Sequence, residues 1–174
     1  EHQTGTDRLV EAVSYLGLDQ EDIVVNIQGD EPLLEPKMVD ELVKPLLDDQ
    51  SQVMSTLKHR IYEAEELNNP NVVKVVTDLN GFALYFSRSP IPYNRTGYEV
   101  SYYKHVGLYA YRKAFLLKYA MMERTPLEQA ESLEQLRALE NGYKIKVVET
   151  NFQTIGVDSQ ADLDRVNQIL EEVK

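Results

Sequence analysis

The 174-residue chain carries 29 acidic against 18 basic residues, a formal charge of −11, with 43% hydrophobic residues and no cysteine. That length and apolar content support one well-formed core and exclude disorder as a class. The acidity excludes a general nucleic-acid surface, so an anionic substrate would have to be gripped by a few placed bases or a metal. Without thiols there is no disulfide framework and no cysteine zinc site, in keeping with a reducing, cytoplasmic setting, and no apolar run reaches membrane-spanning length.

Thr6 is expected to cap a helix whose apolar face is Leu9, Val10, Val13 and Leu16 and which Gly17 ends. Ile23 to Ile27 read as a strand, Pro36 opens a helix carrying Met38, Val39, Leu42, Val43 and Leu46, and Val53 to Leu57 read as a second strand. This alternation predicts a layered α/β sheet. A short helix over Ile61 to Leu67 ends in the turn cluster Asn68-Asn69-Pro70-Asn71. Val72 to Val76 and Ala83 to Phe86 flank Asp78-Leu79-Asn80-Gly81, whose Asn-Gly pair signals an antiparallel hairpin. Ser89 to Tyr103 read as a long surface loop and Val106 to Tyr111 as a strand. Thr125-Pro126-Leu127-Glu128 is a capping-box pattern. It opens one helix with Leu127, Ala130, Leu133, Leu136 and Leu139 along a side and Gly142 as its stop. Lys144 to Val148 make a last strand, and Ser159 caps a final helix with Leu163, Val166, Ile169 and Leu170 inward. No linker or repeat divides the chain, so a single domain is expected. Because it opens at Glu1 inside what reads as a loop running into a helix, N-terminal sequence is expected to be missing.

The residues able to carry chemistry sit at element ends. Asp30 follows the strand run and Gly29, on the edge where open α/β sheets bind ligands. A carboxylate there suits a hard cation such as Mg²⁺, although a turn in which Asp30 only caps a helix fits the same residues. Asp158, behind Gly156, stands just before the last helix and reads as a helix cap unless it shares a metal with Asp30. Gly5-Thr6-Asp7-Arg8 places a helix N-terminus where a phosphate or base edge could dock. Arg88 offers a fork for a carboxylate, or a solvated surface charge, and His105 is a strand-end histidine more often used in packing than in catalysis. Glu128, Glu131 and Glu134 form a stripe that would ordinarily face water, while Glu134 and Gln135 together could bond sugar hydroxyls.

Taken in order, the segments containing Gly5 to Arg8, Asn26 to Pro32, Ala83 to Pro92, Lys104 to Arg112, Leu133 to Arg137 and Gly156 to Asp158 resemble the 3-deoxy-manno-octulosonate cytidylyltransferases, or CMP-Kdo synthetases. The resemblance spans nearly the whole chain. It implies an α/β nucleotidyltransferase of the glycosyltransferase-A-like kind, with a mixed, mainly parallel sheet, helices on both faces and a small antiparallel subregion. Its implied reaction joins CTP and the sugar acid Kdo into CMP-Kdo and pyrophosphate for lipopolysaccharide synthesis. In that reaction the anomeric hydroxyl attacks the α-phosphorus. Carried over by motif, Asp30 and Asp158 would be the catalytic metal ligands for Mg²⁺. Gln28, Arg88, His105, Glu134 and Gln135 would line the Kdo pocket, with Arg88 for the sugar's carboxylate, and Gly5, Thr6 and Asp7 would lie against cytidine. The resemblance also implies a homodimer formed through Val72 to Phe86 and the tyrosine-rich loop, and no nucleic-acid or membrane partner. The strand and basic glycine loop with which such enzymes begin have no counterpart here, so this chain alone is expected to bind CTP poorly. A cytidylyltransferase for another sugar acid such as an N-acylneuraminate, or a non-catalytic nucleotide- or sugar-binding module, stands as the alternative.

Overall fold

The tyrosine-rich segment Tyr102–Arg112 becomes the strand on which the sheet is built. The computed structural model describes residues 5–29, 32–152, 156–157 and 160–172. Alternation along this strand, β5, sends Val106, Leu108 and Ala110 to one face and Tyr109 and Tyr111 to the other, as the two-residue period of a strand requires. β2 (Met54–Ile61) runs antiparallel along one edge of β5. The opposite edge is shared: β1 (Ile23–Asn26) takes the half from Tyr109 to Arg112, and β3 (Lys74–Thr77) meets it at Lys104. β4 (Ala83–Ser87) lies outside β3, and β6 (Lys146–Glu149) runs parallel to β2.

The mixed sheet expected for this fold class is present. β1, β2, β3 and β6 share a direction, but β5 runs against them and lies between β2 and both β1 and β3, so β2–β6 is the parallel ladder among the described strands and the rest are antiparallel. Helices cover both faces. α2 (Pro36–Asp48) places Met38, Leu42 and Leu46 against Leu57, Val106, Leu108 and Ala110. Each of those helix side chains is almost fully buried and contributes roughly 1.5–3 kcal/mol by leaving water. The other face is covered by α1 (Gly5–Tyr15), α4 (Lys113–Ala120) and α6 (Leu136–Glu140), which bring Val13, Phe115, Leu116, Leu136 and Ala138 into one core, and α5 (Pro126–Glu131) packs against α6. α3 (Ala64–Asn68) and α7 (Gln160–Glu172) complete the described elements.

Several boundaries differ from the sequence expectations. β2 continues through Ile61, because His59 and Ile61 are buried in the sheet, and the short helix begins only at Ala64. β5 starts at Tyr102 where Val106 was expected, which shortens the preceding loop. α4 was not expected at all: Lys113–Ala120 lacks a clean polar face, so no helical rhythm marks it. The single helix expected from Leu127 to Leu139 is two. It breaks at Ser132, whose φ of 52° and ψ of 50° end α5 in the left-handed region that favours glycine.

Candidate functional site

Beyond Asn26 the chain leaves β5, and Ile27, Gln28 and Gly29 form one wall of a cleft of about 630 Å³ whose other wall is Gly5, Arg8, Leu9 and Ala12 of α1. Gln28 also lines a second, smaller cavity of about 200 Å³ with His105, Gly107, Tyr109, Glu134 and Gln135. The two hollows therefore adjoin at one glutamine, where β1 ends. Residues far apart in sequence meet at the smaller cavity because β5 supplies its floor through His105, Gly107, Tyr109 and Tyr111.

The smaller cavity opens over an irregularity in β5. Thr56 pairs with Tyr109 and Leu57 with Val106, so Gly107 and Leu108 have no counterpart in β2. A Cβ built on Gly107 would meet no protein atom within 4 Å, so the missing side chain is part of the cavity's room. His105 stands beside it, clamped between Phe86, edge-on at 5.1 Å, and Tyr109, tilted by 45° at 5.3 Å between ring centroids. Its backbone N–H donates to Val73 O at 2.8 Å. Burial pushes the His105 imidazole down to about 3 from its ordinary 6.5, so the ring is neutral at physiological pH. A histidine whose pKa is lower folded than unfolded binds fewer protons in the native state, so stability falls as pH drops below the unfolded value. Between about pH 7 and pH 5 this group is expected to remove about 2 kcal/mol of stability that His105→Gln does not lose. Urea midpoints measured across that range check it, and identical pH slopes for the two proteins would contradict it.

Glu134 and Gln135 reach the cavity because the chain turns at Ser132. The tight loop from Ser132 to Gln135 is held from behind by a buried ion pair. Arg137 donates from Nε to Glu128 Oε2 at 2.8 Å and from Nη2 to Glu128 Oε1 at 2.5 Å, and it lies 3.7 Å from Glu134 Oε1. Tyr119 donates to the backbone carbonyl of Glu134 at 2.5 Å. Burial and the nearby Glu134 carboxylate push the Tyr119 hydroxyl far above its ordinary range, so it keeps the proton it donates. The glutamate stripe is therefore not a solvated face: Glu128 is buried in the ion pair, and Glu131 accepts from Ser87 Oγ at 2.6 Å and from Arg88 N at 2.9 Å.

Arg88 stands apart from the lining of the smaller cavity. Its Nε donates to Glu131 O at 2.7 Å, Nη1 to Pro70 O at 2.9 Å and Nη2 to Ser132 O at 3.5 Å. Lys74, wholly buried, anchors the same corner by donating to Asn69 O, Val72 O and Arg88 O. Of the residues expected to bind sugar acid, Gln28, His105, Glu134 and Gln135 thus share one cavity and Arg88 flanks it. Gly5 lines the larger cleft, while Thr6 is buried in the first turn of α1, inside the helix it was expected to cap. The side chain of Asp7, and both Asp30 and Asp158, lie outside the described residues. Thr56, Lys74, Tyr119, Glu131 and Arg137 were not singled out as supports of the site. Their sequence spacings carry no signal, because each acts across a tertiary contact.

The cytidylyltransferase family matches residues 1–145. A 3-deoxy-manno-octulosonate cytidylyltransferase of Geotalea uraniireducens is 55% identical over 176 aligned positions, covering 95% of this chain and 69% of the relative. One from Fusobacterium nucleatum is 48% identical, covering 98% and 69%. Among solved structures, a CMP:2-keto-3-deoxy-manno-octonic acid synthetase complexed with CTP superposes with a TM-score of 0.93 at 43% identity, covering all of this chain and 70% of that one. A putative glucose-1-phosphate thymidylyltransferase from Bacillus anthracis, at 15% identity and a TM-score of 0.57, shares the fold alone. The chain belongs to the 3-deoxy-manno-octulosonate cytidylyltransferase family.

Proposed function

We infer that the chain serves the transfer of a cytidylyl group from CTP to Kdo, with release of pyrophosphate, as the supply of activated sugar for lipopolysaccharide synthesis in the cytoplasm. The observation that carries this reading is the meeting of two hollows at Gln28, one against a helix start and one lined by polar groups, which gives a nucleotide and a sugar acid adjoining berths. The anomeric hydroxyl attacks the α-phosphorus and pyrophosphate leaves. Glu134 and Gln135 supply the acceptors and donors that sugar hydroxyls need, with Gln28 at the junction. The carbonyls that hold Arg88 take three of its five N–H groups, leaving one on each terminal nitrogen for the substrate carboxylate. Gly5 and Arg8 face the nucleotide side of the larger cleft.

Asp30 and Asp158 offer two hard oxygen ligands, a donor type that suits Mg²⁺. When bound, the ion would neutralise phosphate charge and lower the pKa of the attacking hydroxyl. Asp30→Ala and Asp158→Ala are each expected to abolish Mg²⁺-dependent pyrophosphate release, and turnover that survives both changes would sink the assignment. Comparing pyrophosphate release with Kdo and with an N-acylneuraminate tests the sugar-acid assignment. Homodimerisation through the β3–β4 region and the loop after it is supported by the exposure of Leu84, Tyr93 and Tyr98 on that side.

A further inference from the structure

We propose that Thr56 is a positioning residue for the sugar site: it fixes the tautomer of His105, so that Nδ1 is left as the ring's acceptor for a substrate hydroxyl. This rests on the reading of the smaller cavity as the sugar-acid site. Thr56 is fully buried on the neighbouring strand, and its Oγ1 lies 2.7 Å from Leu108 O, 3.2 Å from Val106 O and 2.9 Å from His105 Nε2. A hydroxyl carries one proton and two lone pairs. Carbonyl oxygens only accept, so the single proton of Thr56 goes to the carbonyls of the β5 irregularity, the shorter contact being Leu108 O.

A lone pair on Nε2 would then face a lone pair on Oγ1. The stable arrangement places the proton on Nε2, which donates to Oγ1, and a neutral imidazole has only one N–H. Nδ1 is left unprotonated. The irregularity is what makes this possible. In a regular ladder the carbonyls of Val106 and Leu108 would be bonded along the strand pair, whereas here Gly107 and Leu108 lack partners in β2 and the threonine hydroxyl reaches in to supply the donor. With Phe86 and Tyr109 pinning the ring plane, both orientation and protonation of His105 are set before any ligand arrives.

The test uses nitrogen-15 NMR on the full, ligand-free chain together with calorimetric binding of Kdo and of CTP. Wild type and Thr56→Ser are expected to show a protonated Nε2 and an unprotonated Nδ1, with equal Kdo affinity. Thr56→Val, similar in shape but without the hydroxyl, is expected to lose that preference and to bind Kdo at least tenfold more weakly, with CTP binding unchanged. An unprotonated Nε2 in the wild type would overturn the positioning role, and so would a valine variant that keeps both tautomer and Kdo affinity. If the valine variant does not fold, the wild-type and serine spectra still decide the tautomer. Failure of the wild type to bind Kdo at all overturns the functional reading and the positioning role with it, and is distinguishable because the tautomer is read without ligand.

Discussion

Arg137→Met is expected to lower the unfolding free energy by about 3–5 kcal/mol, because it leaves the Glu128 carboxylate buried without its counter-charge. Both side chains are at most 8% exposed and meet through two hydrogen bonds, at 2.8 and 2.5 Å. Burial alone would raise the pKa of Glu128, but hydrogen bonds from Arg137 and from the Thr125 amide outweigh it and hold the group below its ordinary 4.5. A carboxylate with a depressed folded pKa stabilises the native state above its unfolded value and loses that contribution as pH falls through the folded one. The gap between wild type and variant in urea unfolding is therefore largest near neutrality and narrows below about pH 4.5. Replacing Glu128 by leucine in the same chain should recover most of the loss, since a packed apolar pair avoids both desolvation penalties. Because the pair braces the loop bearing Glu134 and Gln135, the single variant should also bind the sugar acid more weakly than the double variant does. Equal midpoints for wild type and Arg137→Met would show that the pair contributes nothing net.

Lys74→Met is the second change with a large expected effect, about 2–4 kcal/mol, because the carbonyls of Asn69, Val72 and Arg88 lose one shared donor. Methionine fills much of the same volume, so the loss reads the hydrogen bonds more than the packing. Burial, and then the charge of Arg88, lower the pKa of this lysine, while Glu131 opposes them. The ammonium thus competes with Arg88 for a small supply of negative charge and is satisfied by carbonyl dipoles instead. Through the Arg88 carbonyl it fixes the start of the loop after β4, and Arg88 in turn reaches Pro70 O beside the same turn. In steady-state assays the variant should raise KM for the sugar acid more than KM for CTP. A melting temperature equal to that of wild type would remove Lys74 from the supports of this corner.

How much of this was legible in the sequence follows from the range of each interaction. β1, α2, the hairpin at Asp78-Leu79-Asn80-Gly81 and the start of α5 all announce themselves locally. There the apolar period, the glycine turn and Pro126 after Thr125 act within a few residues. In the hairpin, Asp78 Oδ1 accepts from the amides of Asn80 and Phe82, both at 2.8 Å, as a turn aspartate should. The break at Ser132 was invisible, because Leu133, Leu136 and Leu139 continue a three-residue rhythm across it. What ends the helix is tertiary: Leu133 packs into the core while Glu131 is bound by Ser87 and Arg88 from another strand. α4 was hidden for the opposite reason, since its burial on the core flattens the polarity contrast on which a helical period depends.

At the site, Gln28, His105, Glu134 and Gln135 could be named from motifs because those motifs are contiguous. Their supports could not. Thr56 reads as an ordinary β-branched strand residue, Arg137 as a surface helix charge and Lys74 as an exposed strand lysine. Thr56 acquires its role from β5, Lys74 from the turn and loop that flank the β3–β4 hairpin, and Arg137 from the fold of α6 back onto α5. Arg88 shows the converse: its residue type matched a carboxylate, and the structure finds much of its fork already engaged by backbone oxygen.

The order of strands also decides when the molecule can assemble. Among the described strands, β1, β2 and β3 all wait for β5, and β6 pairs with β2 from later still in the chain, so apart from the β3–β4 hairpin none of these ladders closes until residues past 101 have emerged from the ribosome. The edges of β1, β2 and β3 that face β5 therefore stay unsealed through the first 101 of these 174 residues, until a single late segment knits them together.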